Sequence, residues 1–194
     1  MSHSNFYIVG VGASAGGYQA IWEFFSNIPP DSGAAFVIVQ HLNREYRSIA
    51  DKLLAKHTSL SIYWAQHNQP VEMNAVYILP ENKVITIRNR HLYLRKRLPD
   101  EKINLTVDIF FESLARDVKE KAVGIIMSGL GSDGAHGVQA IHHYGGHVMV
   151  QEPNSTVFNS MPKMAINADS PDFILPPASL ANALVKCIGI NINS

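Results

Sequence analysis

Two unbroken apolar runs of strand length constrain the fold of this chain more than any other feature. Residues 34–41 read AAFVIVQH, and residues 122–128 read AVGIIMS. A strand is almost wholly apolar when both faces of its sheet are covered, as they are when helices pack on both sides of a parallel sheet. The two runs therefore predict buried strands of a parallel sheet.

Helical patterns alternate with short apolar runs along the rest of the chain. Further strands are predicted at residues 6–9, 147–151 and 172–175, and helices at residues 18–26, 48–57, 106–118, 137–144, 161–168 and 177–188. This alternation is typical of a sheet with helices on both faces. We therefore predict an α/β fold with a doubly wound, mostly parallel sheet.

Residues 60–95 differ from the rest of the chain. The runs AVYILP, KVITI and HLYLR are short, partly alternating and separated by turn residues such as Glu81-Asn82. Such runs favour antiparallel pairing through tight turns. We interpret this segment as a small antiparallel hairpin excursion on one edge of the main sheet.

Length and composition indicate a single globular domain, because 194 residues with 46% apolar and 16% charged side chains can bury a sizeable core. We assign this domain to residues 5–188, with tails at 1–4 and 189–194. A formal net charge of zero gives no argument for a nucleic-acid partner. The chain shows neither a signal-peptide pattern nor an apolar run that could span a membrane, and Cys187 is its one cysteine. We therefore expect a cytoplasmic protein with no membrane insertion.

Polar side chains follow three of the predicted strands at the point where each strand ends. Ser14 follows the first strand, His41 the second, and Asp133 the strand at residues 122–128. The carboxyl ends of parallel strands meet at one edge of the sheet, where ligands bind. A serine, a histidine and an aspartate can serve as the nucleophile, base and orienting acid of a hydrolase. The pattern therefore predicts a catalytic triad at this edge.

The glycine-rich stretch VGVGASAGGY, residues 9–18, has a second interpretation. Its GVGASA segment matches the loose dinucleotide pattern G-x-G-x-x-G/A, in which backbone N–H groups hold a phosphate. That pattern requires an acidic residue at the end of the second strand, where this chain has Gln40-His41. Enzymes with the nucleophile elbow G-x-S-x-G have their triad residues in the order Ser, Asp, His along the chain, whereas the order here is Ser, His, Asp. A triad and a nucleotide loop therefore both remain open, and the three strand ends together favour the triad.

Three histidines are the main candidates for metal ligands. His142, His143 and His147 lie close in sequence, but Gly145-Gly146 breaks the helix between them. The i,i+4 pair of histidines that zinc enzymes use on one helix is therefore lost. We predict no metal site.

Several motifs resemble those of a known family. The segments VGASAGG, VIVQHL, VYILP, TVDIFFESLA, GIIMSGLGSDGAHG and MPKMAI occur in the order and approximate spacing of the CheB-type protein-glutamate methylesterase catalytic domain. The resemblance extends over about residues 5–188. The segment GASAGGYQAIWEFFSNIPPDSGAAFVIVQHL is most similar to the version that is fused to a CheR-type methyltransferase and sensory modules.

This resemblance implies a doubly wound α/β domain that hydrolyses glutamate γ-methyl esters on chemoreceptors or sensory proteins. It also implies release of methanol, deamidation of glutamine as a second activity, and no cofactor. By motif matching, the nucleophile falls on Ser14, the base on His41 and the acid on Asp133. The backbone N–H groups that stabilise the oxyanion fall on Ala15 and Leu130.

The chain departs from the family pattern at several positions. Ala15 stands where stand-alone chemotaxis enzymes often have threonine, Leu130 replaces a methionine, and Leu105 replaces a proline. Backbone donors survive these changes, whereas a side-chain hydroxyl contact at position 15 does not. The receiver domain that gates the chemotaxis enzyme does not occur in these residues, so regulation by phosphorylation is not implied. A catalytically idle docking or sensory module is therefore the alternative hypothesis.

Overall fold

The structure is a computed structural model that describes residues 6–40, 49–98, 101 and 105–189. Its strands are β1 (Tyr7–Ala13), β2 (Ala34–Gln40), β3 (Ser61–Trp64), β4 (Gln69–Pro70), β5 (Ala75–Ile78), β6 (Lys83–Arg88), β7 (His91–Lys96), β8 (Ala122–Ile126), β9 (His147–Gln151) and β10 (Phe173–Leu175). Its α-helices are α1 (Gly17–Phe25), α2 (Ala50–Leu54), α3 (Thr106–Val118), α4 (Ala135–His143), α5 (Ser160–Ala168) and α6 (Pro177–Cys187).

The main sheet has seven strands in the order β10-β9-β8-β1-β2-β5-β3, and every neighbouring pair is parallel. Gly10 in β1 lies opposite Val37 of β2 on one side and Gly124 of β8 on the other. The predicted doubly wound sheet is therefore confirmed. Since β8, β1 and β2 are adjacent and parallel, their carboxyl ends lie side by side, at the position where such sheets bind ligands.

Two apolar cores cover the two faces of this sheet. Val9 of β1 packs with Phe24 of α1 and Leu184 of α6 in one core. Ile8, the preceding residue, belongs to the other core with Phe110 of α3. Successive side chains of a strand point to opposite faces, so β1 contributes to both cores. The unbroken apolar runs of the sequence therefore reflect burial on both sides.

Two glycines of β1 allow α3 to approach the sheet closely. A Cβ atom added to Gly10 would lie 2.7 Å from the ring of Phe111, and one added to Gly12 would lie 2.5 Å from a methyl group of Val107. Both distances are too short for real side chains, so the helix packs directly on the strand backbone. Helix packing thus explains the two glycines that match the dinucleotide pattern.

The second sheet is small and antiparallel, with the order β4-β7-β6. Its β6–β7 hairpin confirms the predicted excursion. The interpretation of AVYILP as part of that excursion is wrong, because β5 is a parallel strand between β2 and β3 of the main sheet. All four residues of β5 are buried, whereas burial in the hairpin strands is interrupted. A short strand that is buried on both faces therefore belongs to the main sheet.

The helices follow the predicted ones closely except near residue 48. α2 covers only Ala50–Leu54 of the helix predicted at residues 48–57, and residues 41–48 lie outside the described ones. No helix in the described ranges is both long and apolar enough to cross a lipid bilayer.

Candidate active site

Ser14 occupies the turn that joins β1 to α1 at the carboxyl edge of the sheet. It directly follows the last residue of β1 and is half-buried. Its N–H donates to the carbonyl of Ser128 at 2.9 Å, and its carbonyl accepts from the N–H of Gly17 at 3.0 Å. Gly16, the residue before α1, has a φ of 70°, a left-handed conformation that glycine adopts without a steric penalty. The turn therefore holds Ser14 in place through its backbone and leaves its side chain for other contacts.

The loop after β8 lies against this turn. A Cβ atom added to Gly129 would be 3.0 Å from the Cβ of Ser14 and would collide with Met161. The N–H of Gly129 donates to the carbonyl of Phe158 at 2.8 Å, and its own carbonyl accepts from the N–H of Met161 at 3.1 Å. Gly129 is thus clamped between the serine turn and residues 158–161, and only a residue without a side chain fits there.

Two backbone donors near Ser14 are available for a ligand. Among the residues that the structure describes, neither the N–H of Ala15 nor that of Leu130 donates a hydrogen bond. The N–H of the next residue, Gly131, donates to the hydroxyl of Ser160 at 3.0 Å. Bonds on both sides of Leu130 therefore fix the loop while its own N–H stays available. Fixed, unused N–H groups of this kind can stabilise an oxyanion.

Asp133 is buried and bound to the start of α3. One carboxylate oxygen accepts from the N–H of Val107 at 3.0 Å, and the other accepts from the N–H of Asp108 at 2.9 Å. The first turn of a helix leaves such N–H groups without partners inside the helix, and Leu105 at the N-cap has no side chain that can accept them. Asp133 therefore performs the capping function from a distant loop. This second role was not predicted from sequence.

Burial raises the pKa of Asp133 to about 6. The two N–H bonds lower this pKa and the nearby Asp108 carboxylate raises it, but both effects are smaller than that of burial. Burial also raises the pKa of Asp108, whose carboxylate accepts from the N–H of Gly137 at 2.7 Å. Asp133 is therefore ionised at neutral pH and can accept a hydrogen bond from a base.

His41, the predicted base, lies outside the described residues. The structure does describe the residue before it, Gln40, which ends β2 in register with Ala13 of β1. The chain therefore leaves β2 beside the turn that carries Ser14. The role of His41 stays a prediction.

His142 and His147, considered above as metal ligands, contact carboxylates at the far end of α4. The two ring nitrogens of His142 lie 2.6 Å from an oxygen of Asp169 and 3.2 Å from one of Asp172. His147 lies 3.5 Å from the same Asp172 oxygen. In the described part of the chain, no group of three or more histidine, cysteine, aspartate or glutamate side chains is arranged to hold a metal ion. These histidines connect α4 and β9 to the segment after α5 through their contacts with Asp169 and Asp172.

Comparison with known proteins adds evidence that is independent of this geometry. A family model described as CheB methylesterase matches residues 9–184. A protein of Trichodesmium erythraeum named protein-glutamate methylesterase/protein-glutamine glutaminase is 30% identical over 94% of this chain and 53% of its own length. A protein of Syntrophomonas wolfei with the same name, numbered 2, is 32% identical over 94% of this chain and 54% of its own. The chain thus spans about half the length of these relatives.

A solved structure gives the same result for the fold. The crystal structure of the Thermotoga maritima CheB methylesterase catalytic domain superimposes with a TM-score of 0.84 at 25% identity, covering 94% of this chain and 99% of that one. The family model covers most of the chain, and the catalytic domain matches over nearly its whole length. This chain therefore belongs to the CheB methylesterase family.

Proposed function

We propose that this chain is a cytoplasmic serine hydrolase that cleaves glutamate γ-methyl esters on receptor or sensory proteins. The observation that carries the proposal is the contact between the Ser14 turn and the loop at Gly129, where the N–H of Leu130 donates to no described residue. Acyl transfer requires a hydroxyl beside fixed oxyanion donors, and this contact supports such an arrangement at Ser14. The names of the relatives support the choice of ester and add deamidation of glutamine.

In the proposed first half-reaction, His41 removes the proton of the Ser14 hydroxyl as its oxygen attacks the ester carbonyl. The carbonyl oxygen becomes an oxyanion and accepts hydrogen bonds from the N–H groups of Ala15 and Leu130. Methanol then leaves with the proton that His41 carries, and an acyl-enzyme remains. With glutamine as substrate, the same steps release ammonia.

In the second half-reaction, His41 removes a proton from water as the water attacks the acyl-enzyme. His41 then gives this proton to the Ser14 oxygen as its bond to the acyl group breaks, and a glutamate side chain is released. Asp133 accepts a hydrogen bond from the other ring nitrogen of His41 and stabilises the imidazolium. Two features support this role for Asp133: a pKa of about 6 leaves it mostly ionised at pH 7, and N–H bonds from Val107 and Asp108 fix its orientation.

We also propose that the chain functions beside a CheR-type methyltransferase and sensory modules in one longer protein. The similarity of residues 12–42 to the fused version of this domain supports this arrangement. Mass spectrometry of the intact protein from its native source tests it. A product that contains no methyltransferase sequence would contradict the fusion.

The decisive test of the reaction is Ser14→Ala. A peptide with a glutamate γ-methyl ester serves as substrate, methanol release measures activity, and a fluorophosphonate probe reports on the nucleophile. We expect the variant to lose about 10⁴-fold in kcat and all labelling, as triad enzymes do without their nucleophile. Its melting temperature should stay close to that of the wild type.

Ser179→Ala, an exposed serine of α6, is the matched control and should keep full activity. Methanol release by folded Ser14→Ala at the wild-type rate would overturn the assignment of the nucleophile. Folded wild-type protein that neither reacts with the probe nor cleaves the ester would identify an idle docking module instead.

A further inference from the structure

A groove of about 400 Å³ opens beside the serine turn on the α1 side of the sheet. One wall is the face of α1 that carries Gln19 and Glu23, and the other is the segment at residues 154–158. Ala20 and Pro177, both buried, contribute to its lining. Its volume lies within the range of sites that bind ligands.

Both walls of the groove continue into the candidate active site. The α1 wall begins at Gly16, two residues after Ser14. The opposite wall contains Phe158, whose carbonyl holds Gly129 and whose ring would lie 2.7 Å from a Cβ atom added to Gly16. A polypeptide with its ester at Ser14 would therefore pass Phe158 and enter the groove.

The polar groups of the groove fall into two sets. Gln151 is already engaged, because its amide accepts from the N–H of Ser128 at 2.8 Å and donates to the hydroxyl of Ser155 at 3.0 Å. Within the described residues, the side chains of Gln19, Glu23 and Asn154 make no hydrogen bond or ion pair. These three exposed groups on the rim are therefore available to a ligand.

Charge and apolar exposure indicate what the groove accepts. Among the described residues that line the groove, Glu23 is the one with a charged side chain. Val157 and Phe158 expose 88% and 39% of their surfaces on the other wall. A segment with apolar contacts and a neutral or basic side chain near Glu23 fits this surface, whereas an acidic side chain there is repelled.

We propose that this groove binds the substrate polypeptide beside the methyl ester and that Glu23 selects against acidic side chains in that segment. The inference rests on the proposed function, since the occupant is the chain whose ester reacts at Ser14. Gly16, the N-cap of α1, and Glu23 are seven residues apart, about 10 Å along the helix axis. The selected side chain therefore lies about two helical turns from the ester in a helical substrate.

Two helical peptides test the proposal. Both carry one glutamate γ-methyl ester, and they differ in having lysine or glutamate at the positions four and seven residues away on each side. The measured quantity is the ratio of kcat/KM for the lysine peptide to that for the glutamate peptide. The wild type should prefer the lysine peptide, Glu23→Gln should weaken the preference, and Glu23→Lys should reverse it, with a change of roughly threefold or more, as expected for an exposed charge pair.

Two controls separate the groove from the chemistry. Hydrolysis of p-nitrophenyl acetate and labelling by the fluorophosphonate probe measure the chemistry at Ser14 in each variant, because neither small molecule carries a polypeptide segment. Glu120→Lys makes the same change of charge at an exposed residue just before β8, at the opposite edge of the sheet. It should leave the peptide ratio unchanged.

The possible outcomes distinguish a failure of the proposed role of the groove from a failure of the proposed function. If both peptides are cleaved and Glu23→Lys does not alter the ratio of their kcat/KM values, the proposed role of the groove is wrong and the proposed function stays intact. A loss of p-nitrophenyl acetate hydrolysis in Glu23→Lys would also overturn the proposed role of the groove, since the residue would then act on catalysis. Absence of ester cleavage and of Ser14 labelling in the wild type would reject the proposed function, and the role of the groove with it.

Discussion

At the scale of single residues, the carboxylate of Asp133 joins the candidate site to the scaffold. The same two oxygens that would face a triad histidine accept the N–H groups of Val107 and Asp108 at the start of α3. A negative charge at a helix N-terminus is favourable, yet burial raises the pKa of Asp133 to about 6. The loss of hydration therefore outweighs these bonds, and the protein carries a charge at a cost in stability.

The sign of the pH dependence follows from this pKa. Asp133 has a folded-state pKa of about 6 and an ordinary value of 3.8. Between these values the folded protein keeps a proton that the unfolded chain has lost, so the free energy of unfolding falls as pH rises from 4 to 6. Asp133 accounts for about 2 kcal/mol of this fall, because most of its full contribution of about 3 kcal/mol, at about 1.4 kcal/mol per pKa unit, is lost between pH 4 and pH 6.

We expect Asp133→Asn to remove this dependence. The difference in unfolding free energy between variant and wild type should move in favour of the variant by about 2 kcal/mol from pH 4 to pH 7. Activity should fall by about 10⁴-fold, because the base loses its orienting acid. Urea denaturation at several pH values and the methanol assay measure the two effects.

The exposed residue Asp31 provides the control. Asp31→Asn should keep both the activity and the pH dependence of the wild type. If Asp133→Asn instead followed the wild-type stability at every pH, the buried charge assigned to Asp133 would be wrong.

Sequence patterns predict the positions of Ser14 and Asp133 in the fold better than they predict the contacts that these residues make. Ser14 and Asp133 are predictable as strand-end residues, because a parallel sheet brings its carboxyl ends together. The hydrogen bonds that α3 donates to Asp133 are not predictable, because Val107 and Asp133 are far apart in sequence and no local pattern encodes their contact. The role of His41 rests on its position after β2 and on motif matching.

At the scale of secondary-structure elements, α3 packs closely on β1 because Gly10 and Gly12 have no side chains. The short distance between Val107 and a Cβ atom added to Gly12 predicts overpacking. Gly12→Ala should lower the free energy of unfolding by about 1–3 kcal/mol. In a Val107→Ala background the same change should cost clearly less, because the colliding methyl groups are gone. Urea denaturation of the four proteins in this double-mutant cycle measures the difference.

A nucleotide loop would behave differently from a packing interface. If the glycines of β1 served to admit a pyrophosphate, NAD or ATP would raise the melting temperature of the wild type. We expect neither nucleotide to change it. An equal cost of Gly12→Ala in both backgrounds, or stabilisation by a nucleotide, would contradict the packing explanation.

The position of β5 in the main sheet illustrates that a strand can be predicted from sequence while its pairing partners cannot. AVYILP was recognisable as a strand, but its short length fits either a hairpin or a buried parallel strand. Its pairing with β2 and β3 depends on contacts with residues that precede it in the chain. The β6–β7 hairpin was predictable because its partners are adjacent and its turn lies between them.

At the scale of the whole molecule, the order of strands predicts a gradient of stability across the sheet. β1 is hydrogen-bonded on both sides and all of its residues after Tyr7 are buried. β10 pairs only with β9 among the described strands and exposes Phe173 and Ile174. Local opening therefore requires far less free energy at β10 than at β1.

Amide hydrogen exchange measures this gradient. Amides of β1 should exchange only through global unfolding, and those of β10 at least about 100-fold faster through local opening. Urea at low concentration should accelerate exchange in β1 and leave β10 nearly unchanged. Equal rates in the two strands would show that the sheet opens as one cooperative unit.

The link between Ser14 and Ser128 has a consequence for biosynthesis. The serine turn is synthesised before the carbonyl of Ser128 that holds it and before the loop of Gly129 and Leu130, which lie more than 110 residues further along the chain. Chains emerge and fold from their N-terminus, so a nascent chain carries the serine before it has the proposed oxyanion donor of Leu130. In the proposed mechanism, reactivity therefore requires β8 to join β1, and we expect a chain that ends before residue 128 to be chemically inert.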